Sequence, residues 1–479
     1  MVLGLLIVGF GCGTDGADEG TLDVRVDHAS DKVESTLPHS CVNEDGKAFV
    51  VWVDGRDKSE QIWFNMSNDG GESFLGTDTK LSKGKVEAAN PSIACAGDNV
   101  YVAWEDKRDG ELGYQNIYVQ WSNDGGRSWQ KDDLMLDADP DGDYVSISPA
   151  VAAAGDSAWV VWADQVHGAY DIFLSRTGTK GDSWSKEPVR IDTDADGSAF
   201  SANPVIAGDK DGNVLVAWED RRDGDSDIYA NGSSDGGKTF SASDSRVDGG
   251  DDPGASNSFQ PRIAMAGGHG YAVWQDERFG ENADILFNSV DASGNNWSSE
   301  ALRVESDAEG IADSRNPAVA AQGETVVVAF QDNRSGGYDI FTRWSTDAGV
   351  SWATDEEARM DTDDNGQAQS YNPVISLSGD VWAVAWQDYR DDVGGVGFND
   401  LFYNYSPSAG EVWQTSDVRI NSIAPASSYA VDQSFYVIGD RVLTVWADGR
   451  FGTSDIFAAG RAVGEQSVYK EPEADPAAK

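Results

Sequence analysis

The sequence predicts an all-β fold, an eight-bladed β-propeller built of four-stranded antiparallel blades. Three observations carry this. A Trp-x-Asp tripeptide recurs at Trp52, Trp104, Trp162, Trp218, Trp274, Trp386 and Trp446, and Phe330 stands for Trp in one further copy. Successive copies lie 52, 58, 56, 56, 56, 56 and 60 residues apart, a period that belongs to repeated supersecondary units. Around each copy, short apolar/polar alternations replace any helical periodicity. The chain ends are also complementary. A lone strand-like segment, Val24-Arg25-Val26-Asp27, precedes the first unit, and the last unit ends near Arg461 without one. The N-terminal strand is therefore expected to complete the last blade and close the ring, leaving no free sheet edge.

Each unit runs in one order, here named strands a to d. Strand a follows an Asn-Pro-like step: Asn90-Pro91, Asn203-Pro204, Asn316-Pro317, Asn372-Pro373. Strand b ends in Trp-x-Asp-x-Arg, with the arginine at Arg56, Arg108, Arg222, Arg278, Arg334, Arg390 and Arg450. An Arg fork can hold carboxylates in fixed geometry, so a motif present in nearly every unit reads as an Asp–Arg structural link. The third unit breaks the rule with Asp164-Gln165-Val166-His167, and His167 reads as a surface residue. Strand c opens with Asp-Ile-aromatic, as in Asp171-Ile172-Phe173, and strand d follows a Gly-containing turn, as in Val189-Arg190-Ile191-Asp192.

With 83 acidic and 35 basic residues, the net charge is −48. Such a chain repels phosphate backbones and anionic lipid, so nucleic acid is excluded as a partner and a membrane is reached only through an anchor. Seventeen Trp, 15 Tyr and 17 Phe supply a large core and exclude global disorder.

The apolar run Met1–Phe10 is too short to span a bilayer and reads as an export signal. Gly11-Cys12 resembles a lipobox, which makes Cys12 the expected lipidation site. The chain thus divides into a signal or lipobox (1–12), a flexible acidic tether (13–21), the propeller (22–463) and a disordered tail (464–479). The expected location is a bacterial outer membrane or cell surface, with a periplasmic or secreted protein as the alternative. Cys41 falls three residues after Pro38 and Cys95 four after Pro91. Adjacent strand positions face opposite sides of a sheet, so the two thiols can meet across one blade interface and form a disulfide.

Ser67-x-Asp69-x-Gly71-x-x-Phe74 resembles the Asp-box of BNR-repeat, sialidase-like propellers. So do Ser122-x-Asp124-x-Gly126-x-x-Trp129, Ser233-x-Asp235-x-Gly237-x-x-Phe240 and Ser345-x-Asp347-x-Gly349-x-x-Trp352, with degenerate copies ending at Trp184, Trp297 and Trp413. The resemblance implies a structural turn between strands c and d. It does not imply sialidase activity. The Arg triad, the Tyr–Glu nucleophile pair and the Phe/Tyr-Arg-Ile-Pro signature of those enzymes are not found, and Gln260-Pro261-Arg262-Ile263 belongs to the Asn-Pro step of another unit.

Two sets of residues on the top face, opposite the Asp-boxes, are candidates for function. Acidic d–a loops read Asp137-x-Asp139-x-Asp141-Gly142-Asp143, Asp192-x-Asp194-x-Asp196 and Asp361-x-Asp363. Alternating carboxylates before Gly suit Ca²⁺, the one cofactor considered; a solvated acidic rim is the alternative. The second set lies at the channel entrance: Asn90, Asn203, Asn316 and Asn372, with Phe259, Tyr371 and Arg315 beside them. Amides and aromatic faces suit a sugar, whereas the bland alternative makes each Asn a cap before strand a and each aromatic loop filler. With no acid–base pair or nucleophile in view, the expected function is non-enzymatic binding of a glycan or a surface protein at the top face. The alternative is a sialidase-like glycoside hydrolase or polysaccharide lyase, since two suitably spaced carboxylates suffice for hydrolysis.

Overall fold

The computed structural model describes residues 23–30, 32–108, 113–137, 142–352, 357–392, 397–422 and 428–467. The signal, the tether and nearly all of the tail lie outside the described residues, as do Cys12, Asp139 and Asp141. Among the described residues there is no helix, and the strands form eight four-stranded sheets. In blade 1, strands a to d are Ser35–Val42, Ala48–Asp54, Gln61–Ser67 and Thr79–Lys80, hydrogen-bonded in that order. Blades 2 to 7 repeat the pattern. Blade 8 takes strands a to c from Ala430–Ile438, Arg441–Asp448 and Asp455–Ala462, and strand d from Val24–Arg25. Val24 pairs with Ala458 and Arg25 with Phe457, so the first strand closes the ring.

The Trp-x-Asp tripeptide recurs because its carboxylate is a buried hub. Every strand-b Trp is fully buried, as is Phe330. The Trp218 indole donates to Asp220 Oδ2 at 2.9 Å, and the Trp104, Trp162, Trp274, Trp386 and Trp446 indoles do the same to their own Asp. Asp220 also accepts from Ser201 Oγ at the start of strand a (3.0 Å) and from the Arg222 backbone and guanidinium. Buried carboxylates must be paired, and four donors meet that requirement. The arginine then leaves the hub for a second carboxylate just before strand d of the same blade: Asp244 for Arg222, Asp78 for Arg56, Asp417 for Arg390. Its guanidinium lies over the strand-c aromatic on the way, 4.0 Å from the Tyr229 ring centre in blade 4. In blade 8 that second carboxylate is Asp23, at 2.9 Å from Arg450 and 3.0 Å from Arg461, so the closing segment is ionically tied as well as paired.

The Asp-box turns are bonded as their composition requires. Ser122 Oγ and the Ser128 backbone N–H both donate to Asp124 Oδ1, at 2.8 Å each. Gly126 has φ 76°, and a Cβ there would lie 2.4 Å from the Phe64 ring of the preceding blade. Trp129 packs edge-on to the same ring, with centroids 4.8 Å apart. The box therefore fixes the turn and fills the blade interface. Cys41 and Cys95 form a disulfide between strands a of blades 1 and 2, with Cα atoms 6.0 Å apart.

Candidate functional site

Strand a, the innermost of each blade, carries the features that shape the central channel. Its pairing with strand b skips register once per blade, between Thr36 and His39 in blade 1 and between Ala89 and Ser92 in blade 2. The residue at each skip is left-handed: Leu37, Asn90, Ser148, Asn203, Gln260, Asn316, Asn372 and Asp432 have φ between 49° and 56°. The Asn of the Asn-Pro step is thus a bulge residue inside strand a, and not a cap before it. Asn tolerates this conformation better than most side chains. Seven of the eight positions precede proline, which disfavours helical backbone, so the rim of the channel holds a ring of sparsely populated conformations.

The middle residue of Trp-x-Asp supports this ring. Glu105 Oε1 accepts from Asn90 Nδ2 of its own blade (3.0 Å) and from the Ser148 backbone of the next (2.8 Å). Glu219 Oε1 takes the Gln260 backbone N–H at 2.8 Å, and Gln331 Oε1 takes that of Asn372 at 3.0 Å. Amides continue the chain: Asn316 Nδ2 to Asn372 Oδ1 (2.8 Å), Asn372 Nδ2 to Gln387 Oε1 (3.2 Å), Gln387 Nε2 to Gln433 Oε1 (2.8 Å). Burial raises the Glu105 pKa, and it does the same for Asp432.

Two cavities open at this level. The larger, about 490 Å³, includes Asn316, Asn372, Gln387, Asp432 and Gln433. The smaller, about 370 Å³, includes Ser148, Asn203, Glu219 and Gln260. Arg262 lines both and is the basic residue in either wall. It stands two residues past the bulge of blade 5. The position is Ser92 in blade 2, Ala150 in blade 3, Val205 in blade 4 and Ala318 in blade 6. Its Nη1 donates to the Pro261 carbonyl at 3.0 Å, and among the described residues no carboxylate lies within ion-pair distance of it. Water reaches the side chain, yet channel walls surround it, and this desolvation lowers its pKa. His39 holds the same position in blade 1, four blades away across the ring, and desolvation by the surrounding channel walls lowers its pKa too.

The sequence candidates divide. Asn203, Asn316 and Asn372 line the cavities, and Asn90 belongs to the same ring. Phe259, Arg315 and Tyr371 do not line either cavity. Arg315 is paired with Asp313 at 2.7 Å, Tyr338 Oη donates to the same carboxyl at 2.6 Å, and the Tyr371 ring sits 5.4 Å from that of Tyr338. Arg262, Glu105 and Glu219 were missed. Only their departure from the other repeats, position by position, marks them in the sequence.

The acidic d–a loops hold a cation of their own. Arg190 from strand d reaches Asp171 (3.0 Å), Asp192 (3.1 Å), Asp194 (2.6 Å) and Asp196 (2.6 Å). Arg359 does the same with Asp339, Asp361 and Asp363 at 3.0, 3.1 and 2.7 Å, and Arg303 with Asp284 and Asp307 at 2.7 and 2.6 Å. Each guanidinium is outnumbered. In the sets Asp171/Asp192/Asp194, Asp284/Glu305/Asp307 and Asp339/Asp361/Asp363, three ligand oxygens lie within 4.8 Å of one another and could hold a metal ion. Burial, reinforced by like charge, pushes Asp192 up to about 7 and Asp361 up to about 8. His167 is exposed, as expected, and sets its Nδ1 2.7 Å from Asp171 Oδ2. Asp137 is buried and accepts the Ile117 N–H at 2.9 Å, and Asp143 is exposed.

No family model and no curated protein matches the sequence. Similar solved structures include a protein of unknown function from Dyadobacter fermentans DSM 18053, at 16% identity and TM-score 0.41, covering 68% of this chain and 97% of that one. The polysaccharide lyase Uly1 is 11% identical with TM-score 0.48, covering 78% and 89%. Trypanosoma rangeli sialidase is 12% identical with TM-score 0.42, covering 81% and 56%. Identities this low concern the fold alone. The eight-bladed propeller itself is established by the strand pairing of this chain.

Proposed function

We propose that this is an exported, lipid-anchored propeller that binds an anionic glycan, without turning it over, at the top mouth of its channel. The carrying observation is Arg262. In a chain of net charge −48, a guanidinium with no carboxylate in ion-pair distance among the described residues, and with Glu219 as its charged neighbour, stands between two cavities whose walls include Asn and Gln amides. A sugar carboxylate satisfies the fork with two parallel bonds, and the surrounding Asn and Gln side chains offer donors and acceptors for hydroxyls. The anchor rests on Gly11-Cys12, and a surface protein presenting a carboxylate is the alternative partner. Where an acidic loop takes a metal ion, its oxygen-only donors make calcium the ion.

The enzymatic alternative draws on Glu105, whose raised pKa suits a general acid, but its Oε1 is committed to Asn90 and Ser148. One experiment separates the readings. The protein is incubated with acidic and neutral polysaccharides while retention and new reducing ends are followed. Retention on acidic chains alone, lost in Arg262→Gln, is the expected result. Release of reducing ends would replace binding by catalysis, and equal retention of neutral chains would remove Arg262 from the account.

A further inference from the structure

The bulge ring at the channel mouth is neutral except in one blade. Seven of its eight left-handed residues cannot ionise, four of them asparagines, and the eighth is Asp432 of blade 8. Two places past the bulge, an arginine stands in blade 5 alone, as Arg262. These two departures from the repeat face one space. The cavity of about 490 Å³ is lined by residues of blades 5 to 8, with Arg262 from the first of them and Asp432 from the last. Among its lining residues Arg262 is the one cation and Asp432 the one carboxylate, and the amides of Asn316, Asn372, Gln387 and Gln433 supply the rest of the polar wall.

The protein answers neither charge. In blades 2, 6 and 7 the bulge amide donates to the middle residue of its own Trp-x-Asp: Asn90 to Glu105 at 3.0 Å, Asn316 to Gln331 at 3.0 Å and Asn372 to Gln387 at 3.2 Å. In blade 8 that middle residue is Ala447, which has no polar atom to offer. Asp432 has therefore gained a charge where the repeat has also lost its partner, and among the described residues its carboxylate forms no hydrogen bond or ion pair. Burial raises its pKa with no basic side chain offsetting the effect. Arg262 senses Glu219, which lines the smaller cavity, and not Asp432. The two charged groups of the larger cavity thus stand apart, each without a counter-ion.

We infer that the larger cavity takes a zwitterionic stretch of glycan, with a sugar carboxylate on Arg262 and the protonated free amine of an amino sugar on Asp432. The inference rests on the anionic-glycan reading above and adds a second pole to it. A glycan bearing carboxylates alone brings like charge against Asp432, in a chain whose field already repels anions. A sugar hydroxyl leaves the desolvated carboxylate without a counter-charge, whereas an ammonium supplies one through charge-assisted bonds. The amides along the wall then serve the hydroxyls between the two poles.

The test uses the full chain and two polysaccharides, heparosan and chondroitin, each as the acetylated chain and after N-deacetylation, with affinities measured by calorimetry. Deacetylation turns each acetamide into an ammonium and leaves the carboxylates in place. The wild type is expected to bind the deacetylated form of at least one of the two about tenfold more tightly than its parent, the low end of what a close charge pair contributes at an interface. In Asp432→Asn that preference is expected to vanish. The variant carries the residue found at this bulge in blades 2, 4, 6 and 7, so the left-handed backbone accommodates it. A preference that persisted in the variant would reflect the general negative charge of the chain and overturn the ammonium pole. Equal affinity of the wild type for both forms would also overturn it, while loss of both forms in Arg262→Gln still upheld the carboxylate pole. Failure of the wild type to bind any of the four chains would overturn both.

Discussion

Ring closure depends on one buried carboxylate, and Asp27→Ala measures how much. Asp27 is 1% exposed. It accepts the Ile456 backbone N–H at 3.0 Å, Ser35 Oγ at 2.9 Å and Arg25 Nε at 3.1 Å. The alanine leaves a buried N–H and a hydroxyl with one partner fewer, each worth about 1 kcal/mol or more, and deprives Arg25 of an ion pair. Ser35 keeps Asp54 and Arg25 keeps Asp455, so the losses do not simply add. The expected cost is about 3–4 kcal/mol, near the range for breaking a buried pair. Urea unfolding followed by tryptophan fluorescence reads it directly, since a fully buried Trp stands in seven blades. The variant should also expose the N-terminal segment to limited proteolysis, because strand d of blade 8 is held by no chain continuity with strand c. A loss below about 1 kcal/mol with an unchanged denaturant slope would refute closure by this strand.

Three further outcomes are expected. Arg262→Gln should abolish retention on acidic polysaccharide with a melting temperature within about 1 °C of wild type, because its one hydrogen bond is to a neighbouring carbonyl; a melting loss of several degrees would show the residue to be structural. Removing the Cys41–Cys95 bond, which closes a separation of 54 residues, should cost about 2–4 kcal/mol by loop entropy, read as the difference between reduced and oxidised urea midpoints. Stability should fall as pH rises from about 4 through about 8 in the presence of chelator. Asp192 and Asp361 have raised pKa values, about 7 and about 8, so the folded protein retains protons that the unfolded chain releases near pH 4. Carboxyls shifted the other way, such as Asp235 and Asp347 at about 2, act below that window. Melting temperatures at pH 5.5 and pH 8.5 decide the sign, and Asp361→Asn should flatten the difference; a higher value at pH 8.5 would contradict it.

The blade architecture was legible because each hub residue is needed eight times for one reason. An indole N–H, a serine hydroxyl and an arginine converge on one buried carboxylate, so the Trp-x-Asp-x-Arg string survives in nearly every unit. The acidic loops were half legible. Their carboxylates stand out at i, i+2 spacing, but the arginine that answers them sits two residues earlier, at Arg190 or Arg359, where a strand-d residue reads as ordinary strand. Its other partner lies 19 or 20 residues upstream, beyond local pattern reading. The bulge ring was hidden differently. Asn-Pro suggests a strand boundary, and only the three-dimensional pairing reveals that the strand passes through it with one register skip per blade.

Repetition also sorts structure from function in this chain. A residue required by the blade appears in every blade, so its loss or its solitary appearance is the informative event. Arg262 is such a case, since the corresponding positions in blades 2, 3, 4 and 6 carry Ser, Ala, Val and Ala. Met135 is the opposite case, the loss of a strand-d cation that blade 1 keeps as Lys80. His167 shows why the two kinds need separate treatment. It follows Val166, which stands at the arginine position of one network, and its ring joins the carboxylate set of another, at Asp171. No comparable pairing occurs at Arg262, whose guanidinium lines both channel cavities with no carboxylate in ion-pair distance among the described residues.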